Sequence, residues 1–96
     1  MSKQPCVYIM TNEPRGTLYV GVTSKIVQRI WQHRNHHVKG FSSKYRLTHL
    51  VYFELYDDML EAIKREKDLK NWKRIWKIEL IENTNPSWVD LFSQII

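Results

Sequence analysis

The chain has 96 residues, 43% of them hydrophobic, which is enough for one modest core and too few for a second domain. Lys and Arg number 15 against 10 Asp and Glu, a formal charge of +5 that favours an anionic partner such as nucleic acid without separating it from an acidic membrane or protein surface. The single cysteine, Cys6, excludes an intramolecular disulfide framework and a cysteine-held structural zinc, and no stretch is long enough to span a bilayer.

Residues 1–5 lead into a strand-like segment without the apolar run of a signal peptide, so a soluble chain in the reducing cytoplasm is expected. Cys6–Thr11 and Leu18–Thr23 are rich in β-branched and aromatic residues, and Asn12-Glu13-Pro14-Arg15-Gly16 between them carries turn residues, which predicts a β-hairpin. Thr23 or Ser24 can cap a helix in which Ile26, Ile30, Arg34 and His37 recur at helical spacing, with Gly40 as its stop. Residues 41–46 have no clear period and read as a loop before a third strand over 50–56. Asp57 and Asp58 open a second helix that runs through Met59, Ala62, Ile63, Glu66 and Leu69 to about Lys73, and a shorter helix follows over 75–81. Asn83-Thr84-Asn85-Pro86 breaks the chain, and residues 87–91 predict a last helical turn whose Trp88 and Leu91 pin the end to the core. The order β-β-α-β-α-α predicts an α+β fold with a small three-stranded antiparallel sheet flanked by helices. A right-handed crossover through the first helix would leave the first strand central.

Glu66 falls between Ala62, Ile63, Leu69 and Lys70, on the stripe that should face the sheet. A carboxylate there needs a metal, a cation or an opening onto a cleft; a salt bridge to Lys70 one turn on is the structural alternative. Arg29 and His33, four apart, project in nearly the same direction and can reach one shared ligand, with a guanidinium fork for phosphate oxygens and an imidazole for a proton. Alone, the pair reads first as a solvated helix edge. Tyr8 and Tyr19 on the hairpin strands are packing residues unless their phenols meet Arg29. Gly21 either lets a neighbour approach closely or marks a bulge. His33 and His37 have i,i+4 spacing, but nothing completes a set of ligands, so zinc is not expected. The basic run that includes Lys64, Arg65, Lys67, Lys70, Lys73, Arg74 and Lys77 is interleaved with Trp72 and Trp76, either a surface that neutralises phosphates and stacks on bases or the solvated side of two helices.

In combination these residues resemble the GIY-YIG endonuclease superfamily, specifically its small stand-alone members of the UPF0213 type, over nearly the whole chain. The first motif corresponds to Cys6-Val7-Tyr8 and the second to Tyr19-Val20-Gly21, followed by Arg29 and His33. Further marks are Phe41-Ser42-Ser43-Lys44-Tyr45, Leu50-Val51-Tyr52-Phe53-Glu54, Ala62-Ile63-Lys64-Arg65-Glu66-Lys67, Leu69-Lys70-Asn71-Trp72 and Asn85-Pro86-Ser87-Trp88-Val89-Asp90-Leu91. Cys6 replaces the glycine of the first motif, and Val22 stands where some members carry a lysine.

The resemblance implies a single nuclease domain over residues 1–96 that hydrolyses phosphodiester bonds in DNA, with RNA not distinguished, and is structure-selective. It implies that Glu66 binds one Mg2+ or Mn2+ ion, that Tyr8 activates the attacking water and that Tyr19 positions nucleophile or phosphate. Arg29 would stabilise the developing phosphoryl charge, and His33 would assist proton transfer or orient a tyrosine. Lys44, Lys70, Lys73 and Arg74 are expected to contact nucleic acid, while Gly21 and Asn85 are expected to be structural. No small-molecule cofactor and no membrane partner are expected, and the oligomeric state is not legible. A non-catalytic nucleic-acid-binding module with the same fold is the alternative, and exposed tryptophans alone would suit a protein-interaction domain.

Overall fold

In the computed structural model, residues 3–35 and 45–96 are described. Strands β1 (Cys6–Thr11) and β2 (Leu18–Thr23) form the expected hairpin. Its loop is closed by Asn12 Oδ1, which accepts the Thr17 N–H at 2.9 Å, and by the Gly16 N–H donating to the Glu13 carbonyl at 2.9 Å. Pro14 presets the first central position of that turn and Arg15 takes the second with φ 54°. Helix α1 (Ile26–Arg34) follows, then strand β3 (His49–Leu55), helices α2 (Met59–Asn71) and α3 (Arg74–Thr84), and a short helix α4 (Phe92–Ile95).

The sheet order is β2-β1-β3, antiparallel throughout, so the first strand is central as expected. Side chains alternate along β1. Val7 and Ile9 face α2 and α3, where they pack with Val20, Val51, Ala62, Leu69, Ile78 and Ile81. Cys6, Tyr8 and Met10 face the other way and pack with Ile26 and Ile30 of α1 and with Leu47 and Leu50. A register shift against β3 between Ile9 and Met10 puts both Val51 and Tyr52 on the α2–α3 side.

Three expectations are corrected. The α1 cap position is Lys25, with no side-chain cap of its own; Thr23 contributes from outside the helix, its Oγ1 accepting the Lys25 N–H at 3.0 Å. The third helix extends to Thr84, beyond the expected stop at residue 81. Residues 87–91 are not helical. Pro86 sits in a turn closed by the Trp88 N–H donating to the Asn85 carbonyl at 3.1 Å, and Trp88 has φ 57°, which no right-handed helix accommodates. The segment instead bonds to β3, because the Leu91 N–H donates to the Leu50 carbonyl at 2.7 Å and Asp90 Oδ1 accepts the Leu50 N–H at 3.1 Å. Trp88 is nonetheless buried, as its pinning role requires. By contrast, α2 starts as expected, with Asp58 Oδ1 accepting the Leu60 N–H.

Candidate active site

Tyr8 sits mid-strand in β1, directly across from Gly21 of β2. A Cβ at Gly21 would lie 2.4 Å from both Cζ and Oη of Tyr8, so the phenol occupies the volume that any other residue at 21 would claim. The ladder is regular there: Gly21 accommodates close approach and does not mark a bulge. The Tyr8 ring therefore leans over the outer strand. Tyr19, two residues before Gly21 on the same side of β2, brings its ring centroid to 6.3 Å from that of Tyr8.

His33 closes the group from α1. Ile26, Ile30 and His33 follow i, i+4, i+7 spacing, which points His33 inward with the two isoleucines, and it is 1% exposed. Its Nε2 is 3.0 Å from the Tyr8 hydroxyl, and its ring centroid is 5.4 Å from that of Tyr19. Burial, reinforced by the Arg29 guanidinium, lowers the His33 pKa to about 4, so the imidazole is neutral at pH 7. Burial likewise raises the Tyr8 phenol above its ordinary value; the neighbouring Tyr19 adds to this, Arg29 opposes it, and Cys6 and Glu66 add smaller increments. A neutral phenol hydrogen-bonded to a neutral imidazole is poised to pass or hold a proton without a standing charge.

Arg29 lies one turn before His33 and lines a polar groove of about 270 Å³ with Thr23, Gln28 and Gln32. A larger, mostly apolar cavity of about 430 Å³, lined by Val27, Phe53, Leu55 and Ile95 among others, contains none of these chemical groups. Glu66 comes from α2, beneath β1 and β2, with its side chain 12% exposed; its charge reaches Tyr8 although α1 and α2 cover opposite sides of the sheet. Tyr8, Tyr19 and His33 thus form one group of rings on the α1 side, while Glu66 is carried by the helix that covers the opposite side of the sheet from the α1 that carries Arg29.

The Glu66 carboxylate is 2.7 Å from Lys70 Nζ, the ion pair that i,i+4 spacing allows. Among the described residues no three His, Cys, Asp or Glu side chains form a metal cluster, so a wholly protein-ligated cation does not fit. A single shielded carboxylate does fit a hard divalent ion that keeps several waters and takes further oxygens from a phosphate.

The expected nucleic-acid contacts are distributed unevenly. Lys70 pairs with Glu66, and Lys73 sits 5.4 Å over the Trp76 ring. Arg74 ties down the hairpin loop, donating to the carbonyls of Arg15 and, at 2.7 Å, Gly16. Lys44 lies outside the described residues, as do His37 and Gly40. Asn85 is buried and bridges segments: its Nδ2 donates to the Val51 and Val89 carbonyls, and its Oδ1 accepts the Val89 N–H at 3.0 Å. Cys6 fits the strand position of the first-motif glycine, fully buried with its thiol pushed up to about 12, mainly by burial. Val22 packs towards the α2–α3 side, away from Tyr8.

Sequence reasoning missed a second polar cluster. Glu54 accepts hydrogen bonds from the hydroxyls of Tyr52 and Tyr56 and from Nε and Nη2 of Arg65, the latter pair at 3.0 and 2.9 Å. Burial alone would raise the Glu54 pKa, but these donors outweigh it and leave the carboxyl below its ordinary value. The i, i+2, i+4 spacing of Tyr52 and Glu54 on β3 and Tyr56 just past its end is the signal that announces it. With both oxygens saturated, Glu54 holds α2 to β3 and has no capacity left for a ligand.

The family model described as the GIY-YIG catalytic domain matches residues 4–79. The UPF0213 protein of Staphylococcus saprophyticus is 38% identical over 66 residues, covering 69% of this chain and 80% of that protein. The UPF0213 protein of Staphylococcus aureus strain Mu3 is 34% identical over 67 residues, covering 70% of this chain and 82% of its own. No solved structure matches the chain significantly.

Proposed function

The chain belongs to the GIY-YIG family, and on that premise we propose that it is a single-domain, divalent-metal-dependent endonuclease that hydrolyses phosphodiester bonds in DNA, preferring irregular structures. A nucleic-acid substrate follows from the family itself; the metal, the choice of DNA and a cytoplasmic setting are our reading. The observation that carries it is the contact between Tyr8 and a buried, neutral His33 beside Tyr19.

In this reading Tyr8 takes a proton from the attacking water as its own phenolic proton passes to His33 Nε2, whose imidazolium is transient and is favoured only as negative charge builds on the phosphoryl oxygens. Tyr19 orients the water or the scissile phosphate. Arg29, in the lining of the polar groove, meets the phosphoryl oxygens as their charge builds, where a fixed donor stabilises the transition state more than the ground state. Glu66 would hold Mg2+ or Mn2+, whose chemistry is to stabilise the leaving 3′ oxygen. Lys70 then has to release Glu66, and a nearby phosphate gives its ammonium an alternative partner. The Glu66–Lys70 ion pair also suits a second reading, a non-catalytic nucleic-acid-binding module, since such a protein has no metal to hold.

The test is cleavage of branched, nicked, single-stranded and duplex DNA of one sequence by purified protein with Mg2+, Mn2+ or EDTA. Cleavage that requires the metal and favours the irregular substrates supports the nuclease. Binding to all four with no cut in either metal supports the module.

A further inference from the structure

We propose that the exposed Trp76 ring with Lys73 above it is a stacking platform for an unpaired base, so that the chain engages nucleic acid as a single strand or a locally opened duplex. The proposal deepens the reading above and rests on it for the identity of the ligand as nucleic acid.

Trp76 is not a core residue of α3. The buried positions of that helix are Ile78 and Ile81, which project roughly 140–200° around the axis from Trp76 at about 100° per residue. The tryptophan is 47% exposed, a large apolar surface that folding does not use. Its orientation is nevertheless fixed. Trp72, partly buried against the core and covered by the Arg65 guanidinium at 5.0 Å, meets Trp76 nearly edge to face, with centroids 6.2 Å apart at 86°.

Lys73 lies 5.4 Å from the Trp76 ring centroid. A cation–π contact at an exposed site favours that position by only about two- to five-fold, so an arriving base can displace the ammonium at little cost. The released Lys73 is then placed to meet the phosphate of the same nucleotide. One residue pair thus supplies a π-face and a countercharge, the two elements that single-strand recognition combines without reading sequence. A base inside an intact duplex has both faces stacked on its neighbours and cannot use the ring.

Trp72, which the Trp76 ring meets, directly follows α2, the helix that carries Glu66 and Lys70. The start of α3 is braced by Arg74 against the hairpin loop, which keeps platform and hairpin in register.

The experiment measures binding of an oligo-dT and of a hairpin duplex of equal length to the full chain in EDTA, by tryptophan fluorescence and by anisotropy, across a salt series. Trp76→Ala is expected to weaken oligo-dT by about ten-fold and duplex by less than about two-fold, while Trp76→Phe keeps most of the affinity. Lys73→Ala should lower the single-strand salt slope by about 0.7, the loss of one phosphate contact. Trp76→Phe should also remove most of the oligo-dT-induced quenching, a readout that survives if the alanine variant does not fold. Equal losses on both ligands, no loss on either, or competition by poly-glutamate as strong as by oligo-dT would overturn the platform. Trp76-dependent binding in a protein that never cuts would leave the platform standing and remove the nuclease reading; cutting without Trp76-dependent binding would do the reverse.

Discussion

The Tyr8 phenol and the missing side chain of Gly21 share one volume, with an ideal Cβ at 21 falling 2.4 Å from Tyr8 Oη. Gly21→Ala must therefore displace Tyr8 or strain the hairpin, at a cost of about 1–3 kcal/mol typical of overpacking. In a Tyr8→Ala background the same change should cost little. Urea denaturation of the double-mutant cycle checks this; a Gly21→Ala penalty that is unchanged without Tyr8 would show that the strain lies elsewhere.

His33 makes stability depend on pH. Its folded-state pKa is lowered to about 4 from the ordinary 6.5, so between those values the unfolded chain binds a proton that the folded chain refuses. The stabilisation is fully present above 6.5 and is lost as pH falls towards 4, amounting to about 3 kcal/mol over the window. His33→Gln should flatten that part of the stability profile. An imidazole resonance that titrates near 6.5 in the folded protein contradicts the burial argument.

Much of the fold is legible because local signals agree with it. Asn12 to Gly16 supplies turn chemistry between two β-rich runs, and Asp58 caps α2 as its type predicts. The non-helical path of residues 87–91 is not legible, because it depends on Asn85 bonding to Val51, 34 positions away, and on the left-handed Trp88. The site shows the same division. Tyr8, Tyr19, Arg29, His33 and Glu66 can each be picked out by residue type, spacing and motif, yet only packing reveals that His33 is buried against the Tyr8 hydroxyl. Helical periodicity ranks Arg29 and His33 as one edge, whereas the i, i+4, i+7 run from Ile26 places His33 alone inside. Arg65 as the partner of Glu54 has no sequence signature, since 11 residues and a helix start separate them.

That pair yields a stability prediction. Arg65→Met leaves the Glu54 carboxylate with the two tyrosine hydroxyls and no countercharge on a half-buried surface, and should destabilise the chain by about 1–3 kcal/mol. Combining it with Glu54→Gln should recover part of the loss. Thermal melts of the three variants measure it, and additive losses would show that the two residues do not interact.

Arg29 separates transition-state stabilisation from phosphate binding. Arg29→Ala should lower kcat by about 10²-fold or more while Kd stays within a few-fold, and Arg29→Lys should not fully restore it, because an ammonium lacks the planar fork. Single-turnover cleavage at saturating enzyme, set beside binding titrations in Ca2+, gives the two quantities. Normal cutting at saturation with weakened binding would reduce Arg29 to a surface contact.

The most direct measurement compares wild-type and Glu66→Gln protein in Mg2+-dependent single-turnover cleavage of a branched DNA, with binding of the same DNA followed in parallel. The amide keeps the size of the side chain but removes the charge that would hold the metal. Cleavage should therefore fall to background while binding by the Lys and Arg surface survives. Cleavage by Glu66→Gln at the wild-type rate, or no metal-dependent cleavage by either protein, would contradict the account.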